Sequence, residues 1–494
     1  MKKLIAVSVS VAMMLAAAMV SAEETLPLKA VNRAGEVIDA ALEAYGGAET
    51  IANLNSVARK SHFTTWATNQ SRSPGPPWDE NEQWSFSAID FQNQTFVGKN
   101  SGSGGGFDFD GSQIIKGEEG WRISYRAGTV TPVAQADFDT ASGPFIRVTA
   151  PLLIKQLQNR RQTSHWLGEV EYKGRPHDVI TLVMEVGPAL SLYFDKETHL
   201  LSRSERVLPP FGQVDYRFTN YEKLDGIPFS KTFKLFVNDH PNIYIDTKST
   251  LVNQPVDEYA VVPSDLEMLE AAPPAPTEVM VQEVNEGVFL VGSGNTYAMF
   301  VEMSDHLVAV GGTAGIPDRI KAVRKVVKDK PIKFGVMTHH HNDHVLGVPA
   351  YQAEGAVVLT VKEHEAVMRS AATDADSLVL QFVEDKYLFD DGNRQLEIID
   401  IGPTPHSKHL LVGWLPQEGI LFEADHFPNP PNGRIPPAQP VTRHLAEVVG
   451  RMGLDVKTII GAHSQRIASM EDLEQTVALG KLNAAQASPL FSLV

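Results

Sequence analysis

The feature that most constrains this chain is the segment 338–347, which reads THHHNDHVLG. The apolar residues IKFGVM stand just before it and predict a short buried strand. His339 and His341 are two residues apart, so in an extended loop their imidazoles point the same way. Asp343 and His344 follow at once and can close around a neighbouring point. Imidazole and carboxylate groups suit zinc and related divalent metals, so the segment predicts a metal site.

The composition restricts the partners that the protein can have. The chain has 494 residues, which is enough for two or three domains. Its formal net charge of −17 argues against nucleic acid, because phosphate backbones require basic surfaces. The absence of cysteine excludes disulfides, thiol nucleophiles and cysteine metal ligands. We therefore expect a small-molecule substrate, and the oligomeric state stays open.

Residues 1–22 predict a cleavable secretory signal. Lys2 and Lys3 supply the positive start, residues 4–20 are apolar apart from two serines, and residues 20–22 (VSA) fit a small-residue cleavage site. A membrane anchor is the alternative interpretation, but the apolar stretch is short and rich in alanine. We expect a periplasmic or secreted protein without stable membrane insertion after cleavage.

The rest of the chain predicts two domains joined by a linker. Residues 23–270 predict a β-rich N-terminal domain with one leading helix over 33–54, and strand patterns prevail from about 56 to 260. Its order of elements resembles the periplasmic lipoprotein-carrier fold, a curved antiparallel sheet over a helix. The glycine-rich residues 101–106 predict a hairpin tip. Residues 271–277 (AAPPAPT) predict a proline-stiffened linker.

Residues 278–494 predict an α/β domain, because strand and helix patterns alternate along them. The predicted strands are 284–292, 297–303, 307–310, 357–361, 396–401, 410–415, 419–424 and 458–460. The predicted helices are 317–327, 363–371, 442–450 and 470–479.

Three further loops carry groups that can bind metal, and each follows an apolar strand pattern. They hold His406 in GPTPHS, Asp425 in LFEADHF and His463 in IGAHS. His340 and His426 stand beside these groups, but the sequence suggests no role for either.

The pattern H-x-H-x-D-H, followed in order by those three loops, resembles the metallo-β-lactamase superfamily over residues 284–468. The resemblance implies an αββα sandwich, so the fold class of the whole chain is α+β with this α/β sandwich at its C-terminal end. It also implies two divalent metal ions, expected to be Zn²⁺. Matched position by position, the ligands of one ion are His339, His341 and His406, those of the other are Asp343, His344 and His463, and Asp425 bridges both.

The resemblance implies hydrolysis by a metal-bound hydroxide. Zinc lowers the pKa of bound water from 15.7 to about 7, which gives hydroxide at neutral pH. That hydroxide would attack a small ester, lactone, thioester or amide. Asp343 would orient it and carry a proton toward the leaving group. β-Lactamases of this fold do not use a bridging aspartate where Asp425 stands, so a β-lactam specialist is disfavoured.

Some positions depart from the family pattern and keep alternatives open. Gly311 stands where an aspartate usually supports the site, Ala424 replaces a glycine, and the last histidine lies in AHS instead of GHG. An iron-dependent oxidoreductase is one alternative, although His341 stands where such members carry glutamate. An envelope lipid-binding protein with a vestigial metal site is another, and Gly311 favours it.

Overall fold

The computed structural model describes residues 25–68, 70–208, 212–271, 276–429 and 433–483. The chain divides into two compact units. Unit 1 comprises the described residues up to Val57 together with Asp139–Asp239, and unit 2 comprises Ala58–Phe138 and the described residues from His240 onward. The predicted signal segment lies outside the described residues. So does most of the predicted linker, at 272–275, and the domain boundary placed there stays a prediction.

Helices and strands alternate irregularly along the chain. The α-helices are α1 (Leu26–Ala44), α2 (Ala48–Ala52), α3 (Phe138–Arg147), α4 (Ala150–Asn159), α5 (Ile316–Val323), α6 (Val348–Ala353), α7 (Glu365–Ala371), α8 (Pro440–Met452) and α9 (Met470–Asn483). The strands before residue 270 are β1 (Ser56–Trp66), β2 (Glu80–Asp90), β3 (Thr95–Gly104), β4 (Phe107–Lys116), β5 (Glu119–Ser124), β6 (Thr129–Pro132), β7 (Trp166–Tyr172), β8 (Arg175–Leu182), β9 (Leu190–Asp195), β10 (Leu201–Leu208), β11 (Gly212–Leu224), β12 (Ile227–Val237), β13 (His240–Val252) and β14 (Glu267–Met268). The later strands are β15 (Met280–Asn285), β16 (Val288–Ser293), β17 (Thr296–Glu302), β18 (Leu307–Val310), β19 (Ile332–Val336), β20 (Val357–Thr360), β21 (Leu380–Phe382), β22 (Lys386–Asp390), β23 (Gln395–Asp400), β24 (Leu411–Leu415), β25 (Ile420–Glu423), β26 (Thr458–Gly461) and β27 (Ser464–Ser469).

Unit 1 combines an antiparallel sheet with helices. Its strands lie in the order β12-β11-β10-β9-β8-β7, and each pairs antiparallel with its neighbour. α1 packs against α4 and buries Val37, Ile38, Ala41 and Leu42, which the helical period places on one face. The helix predicted over 33–54, with an interruption at Gly46 and Gly47, is two helices, and Gly46 adopts a φ of 95° between them.

The prediction of strands throughout residues 56–260 is wrong over 138–159. That stretch forms α3 and α4 instead. Leu153 and Leu157 of α4 are four residues apart and both fully buried, which is a helical spacing. Pro151 occupies the first turn of this helix, where its missing N–H has no partner to lose. A short apolar run can suit either a strand or a helix, so periodicity alone misread it.

The first sheet of unit 2 is built from consecutive hairpins. Its order is β14-β6-β5-β4-β3-β2-β1-β13, and β2 to β6 pair antiparallel in sequence order. Phe86, Val97, Ile114 and Ile123 form part of its buried core. The pairing of β3 with β4 ends at Gly104 opposite Phe107, so the predicted glycine-rich hairpin tip is present. The β-rich character predicted for the N-terminal half is confirmed, whereas the likeness to the lipoprotein-carrier fold stays a prediction.

The rest of unit 2 is a four-layer sandwich. A seven-stranded sheet (β15 to β21 in sequence order) and a six-stranded sheet (β22 to β27 in sequence order) enclose one apolar core, which contains Met299, Val310, Leu396 and Phe422. Residues of α5, α6 and α7 cover the outer face of the first sheet, and residues of α8 and α9 cover that of the second. The αββα arrangement predicted for this region is confirmed.

The two sheets present their strand ends to one site. The histidine segment follows β19, and the loops of His406, Asp425 and His463 follow β23, β25 and β26. In the first sheet β18, β19 and β20 are parallel, and β25 pairs parallel with β26 in the second. Ligands in open α/β sheets bind at the carboxyl ends of parallel strands, which is where these groups lie.

None of the helices in the described part of the chain has the length and apolar character needed to cross a bilayer.

The core between the two sheets predicts a large effect of a single truncation. Leu396 on β23 is fully buried there, so Leu396→Ala should lower the free energy of unfolding by about 2–5 kcal/mol. Leu388 on the neighbouring strand β22 is 46% exposed, and Leu388→Ala should change it by less than about 1 kcal/mol. Denaturant titrations followed by tryptophan fluorescence measure both. Equal losses in the two variants would contradict this description of the core.

Candidate metal centre

The structure brings all seven predicted ligand side chains into one cluster. Three overlapping groups have ligand atoms within 4.8 Å of one another. They are His339 with His341 and His406, His339 with His344 and Asp425, and Asp343 with His344 and His463. The first and third groups are the two sets of three that the sequence assigned to separate ions. Their roles as metal ligands stay predictions.

Asp425 lies at the centre of the cluster. Its Oδ2 is 2.9 Å from Nε2 of His344, 3.3 Å from Nε2 of His339 and 3.6 Å from Nε2 of His406. Its Oδ1 is 3.1 Å from Nε2 of His463. One carboxylate therefore faces members of both groups, which is the position that a bridging ligand requires.

Burial and charge keep most of these groups in the protonation state that a cation needs. Burial lowers the pKa of His339 and of His341 well below the ordinary value, so both rings are neutral. Burial alone would raise the pKa of Asp425, but the adjacent His344 holds it well below its usual range. Burial likewise opposes charge on His344, yet the Asp425 and Asp343 carboxylates raise its pKa to about 10. A metal ion binds the unprotonated ring, so a proton and a cation would compete at His344.

Several buried ring nitrogens have no hydrogen-bond partner. Nε2 of His339, Nδ1 of His341 and Nε2 of His406 are all of this kind. A buried polar atom without a partner costs about 1–3 kcal/mol, and a bound cation removes that cost. Because these three nitrogens belong to the residues whose ligand atoms converge, the residues present fit a divalent cation.

Glu423 holds the loop that carries Asp425, and the sequence analysis missed it. Asp425 adopts a φ of 62°, which a non-glycine residue rarely does. Oε2 of the buried Glu423 accepts the N–H groups of His426 at 2.7 Å and of Phe427 at 3.1 Å. Burial raises the pKa of Glu423 to about 7. Glu423 could have been identified from the sequence, because it places a carboxylate at the end of the apolar strand β25, two residues before Asp425.

His340 lies beside the cluster but outside the three ligand groups. It is buried, and its Nδ1 is 3.2 Å from Nε2 of His364. Its Nε2 donates to the carbonyl oxygen of Ser71 at 2.9 Å. His364 is a further buried histidine whose place here the sequence did not indicate. His340 therefore links the histidine segment 338–347 to His364 and to Ser71.

Residues of the first sheet of unit 2 also reach the cluster. Gln70 contacts Asp343, Ser71 contacts His341, and Gly105 contacts His406. The ring of Phe107 meets the edge of His406 with 5.7 Å between centroids. Sequence reasoning missed these neighbours, because no local pattern relates positions 70–107 to positions 339–406.

A cavity of about 680 Å³ is lined by residues that contact the cluster, such as Gln70 and Gly105, although none of the seven predicted ligands lines it. It is lined by residues of the first sheet and its loops, including Gln70, Arg72 and Trp78, and by Pro405 and Lys408 beside His406. Cavities of roughly 300–1,000 Å³ are typical of small-molecule sites.

Gly311 has a backbone reason to be glycine. Its φ is 111°, its carbonyl accepts a hydrogen bond from the hydroxyl of Tyr351 at 2.7 Å, and a Cβ would lie 3.2 Å from Cζ of Phe422. The aspartate usual at this position in the family pattern would therefore be strained here. Oγ1 of Thr338, 3.1 Å from Nδ1 of His339, is one polar contact that the ligand set does make.

Comparison with known proteins identifies the sandwich. Residues 272–463 match the family model described as metallo-beta-lactamase superfamily. No curated protein matches the chain.

Solved structures similar to this chain include several metallo-beta-lactamases. One from Pontibacter korlensis is 20% identical, with a TM-score of 0.33, and the match covers 41% of this chain and 99% of that one. One from Hirschia baltica is 20% identical, with a TM-score of 0.33, over 41% and 98%. The mono-zinc form of FIM-1 from Pseudomonas aeruginosa is 22% identical, with a TM-score of 0.31, over 44% and 100%.

The geometry at Gly311 predicts that the family aspartate cannot simply be restored. Gly311→Asp should lower the free energy of unfolding by about 1–3 kcal/mol, because a side chain at a φ of 111° is strained and meets Phe422. Gly355→Asp is the matched control. Gly355 also has a positive φ, of 72°, but a Cβ there would meet nothing within 4 Å. Thermal and denaturant unfolding compare the two, and an unchanged stability of Gly311→Asp would refute this account of the glycine.

Proposed function

We propose that the protein is an exported, dinuclear metal-dependent hydrolase, because residues 272–463 match the family model of the metallo-β-lactamase superfamily. The single observation that supports this most is the convergence of seven histidine and aspartate side chains from four loops into one cluster, with the Asp425 carboxylate at its centre. We propose zinc as the metal, because the ligand set is imidazole and carboxylate without cysteine.

The residues divide into two sets around the bridging Asp425. His339, His341 and His406 would hold one ion, and Asp343, His344 and His463 would hold the other. Ions held by these residues would supply Lewis acidity, which lowers the pKa of a nearby water and stabilises negative charge on the substrate.

Asp343 would position the water and carry a proton. Its side chain is 45% exposed, more than the other predicted ligands, and its Oδ2 lies 3.4 Å from Nε2 of His344 and 3.8 Å from Nε2 of His463. The His344 ring beside it holds the pKa of Asp343 far below its usual range, although burial opposes this. Asp343 is therefore an anion that can accept a hydrogen bond from water, and we propose that it relays the proton of that water to the leaving group.

The substrate class that we propose is a small ester, lactone, thioester or amide. The cavity of about 680 Å³ that Gln70 and Gly105 line has the size of a small-molecule site, and we propose that it admits the substrate toward the cluster. Asp425 and the absence of cysteine disfavour a β-lactam specialist, following the family pattern. The mature protein would act in the periplasm or outside the cell, which the signal-like residues 1–22 support.

Metal analysis of the purified mature protein tests the first part of the proposal. We expect two zinc ions per chain, lost on dialysis against a chelator and restored by added Zn²⁺. His406→Ala should lower the metal content, because it removes one of three nitrogens around the first ion. His165→Ala, which changes an exposed histidine of unit 1, should leave it unchanged. Purified protein with no zinc or other bound metal would refute the metal centre, and bound iron would favour the oxidoreductase alternative.

Hydrolysis of a panel of esters, lactones, thioesters and amides tests the second part. Asp343→Ala should lower kcat by roughly 100- to 10,000-fold, because it removes the proton carrier. Asp318→Ala, on the exposed face of α5 with a Lys321 partner, should keep full activity. Substrate turnover that is equal in Asp343→Ala and the unaltered protein would exclude this role for Asp343.

A further inference from the structure

Two backbone carbonyls from outside the sandwich accept hydrogen bonds from predicted metal ligands. The carbonyl of Ser71 accepts from Nε2 of His341 at 3.0 Å. The carbonyl of Gly105, in the turn between β3 and β4, accepts from Nδ1 of His406 at 2.5 Å. Both belong to the first sheet of unit 2 and its loops. Neither lies within residues 272–463.

A carbonyl oxygen has no hydrogen to donate, so each contact fixes a tautomer. His341 must carry its hydrogen on Nε2, which leaves the lone pair of Nδ1 free. His406 must carry its hydrogen on Nδ1, which leaves Nε2 free. These free nitrogens are the ones that are buried without a partner. The hydroxyl of Thr338 beside His339 can donate or accept, so it imposes no such choice.

Gln70 fixes the third element of the site. Its Nε2 donates to Oδ1 of Asp343 at 2.7 Å and to Oδ1 of Asn342 at 2.7 Å. A carboxylate oxygen can only accept a hydrogen bond, so the NH₂ group of the Gln70 amide must face Asp343. Oδ2 of Asp343 then remains available to ligate a metal ion, and it faces His344 and His463.

The loop around Ser71 is held rigidly in place. Arg72 pairs with Asp79 through two guanidinium nitrogens, at 2.9 and 3.2 Å, and Oγ of Ser71 accepts the N–H of Asp79 at 2.7 Å. The carbonyl of Arg72 accepts the N–H of Lys408, two residues beyond His406, at 2.9 Å.

The hairpin turn is held in the same way. Gln439 donates to the carbonyl of Asp108 at 3.1 Å and accepts its N–H at 2.9 Å. The carbonyl of Gly106 accepts the N–H of Val441 at 3.3 Å. A Cβ on Gly106 would lie 2.4 Å from Cγ1 of Val441 and 3.2 Å from Pro405, so only glycine allows this approach to the loop of His406.

We propose that the loop at residues 70–79 and the turn at Gly105 and Gly106 position the ligands of the proposed metal centre. They select the tautomers of His341 and His406 and set the direction of the Asp343 carboxylate. These are positioning roles, because the groups contact predicted ligands and not the metal. The inference rests on the metal binding proposed above, and it makes the affinity for metal depend on strands outside the superfamily region. Hydrogen bonds to ligating groups commonly change metal affinity by about 10- to 100-fold.

Gly106→Ala tests the hairpin turn. The added methyl must push the turn away from Val441 and Pro405, which breaks the contact of the Gly105 carbonyl with His406. Zinc affinity, measured by competition with a chromophoric chelator on the metal-free chain, should fall by about 10- to 100-fold. The visible absorption of the Co²⁺-substituted protein should change, because the His406 ring is free to turn. Gly117→Ala is the matched control, since Gly117 has a φ of +58° in the next turn but open space around it.

Gln70→Leu is an independent test of the loop at residues 70–79. It also tests the positioning role if the Gly106→Ala variant does not fold. It keeps the side-chain size and removes the donor to Asp343, so binding of one of the two ions should weaken at least about tenfold. Gln381→Leu, at an exposed position on β21, should bind zinc like the unaltered protein.

The outcomes separate the two proposals. If the unaltered protein binds no metal, the proposed function fails. If it binds two ions and both Gly106→Ala and Gln70→Leu match its zinc affinity and Co²⁺ spectrum, the metal centre stands and the positioning role is refuted.

Discussion

The structure around the candidate site depends on one largely buried carboxylate that lies close to four imidazoles. Asp425 faces His344, His339, His406 and His463 through its two oxygens. Taking a carboxylate out of water costs several kcal/mol unless positive charge accompanies it. Burial lowers the pKa of the His339 ring, whereas nearby carboxylates raise the pKa of His344 and of His463 although burial opposes this, so protons on these two rings are the compensation within the chain. The cluster is therefore arranged for a cation that comes from solution.

The strain in this arrangement is offset by the rigid sandwich around it. Asp425 adopts a φ of 62° and Gly311 a φ of 111°, both in regions that are sparsely populated. Each is held by a buried side chain, since Glu423 accepts two N–H groups after Asp425 and Tyr351 donates to the Gly311 carbonyl. The apolar core between the two sheets supplies the stability that keeps these residues in place.

The sequence predicted that these histidines and aspartates lie together because the signal for them is local. Histidine and aspartate side chains this dense within six residues seldom serve packing alone, and each later loop follows an apolar strand that could be recognised by itself. The αββα sandwich followed from the same pattern. The helices over 138–159 were missed because short apolar runs such as that of Leu152 and Leu153 fit two periodicities. Gly311 was read as a lost support, whereas the structure shows a backbone position that a side chain would strain.

What the sequence could not predict is the contribution of residues 70–107. Gln70 lies 272 and 273 positions from the two residues that it contacts, and no spacing rule reaches that far. Ser71 is the hardest of these residues to predict from the sequence, because the group that it contributes is a main-chain oxygen. Every amino acid carries that oxygen, so the side chain at position 71 could change while the hydrogen bond from His341 to the carbonyl oxygen is kept. Comparing side chains among related sequences would therefore miss this group, and only the path of the backbone identifies it.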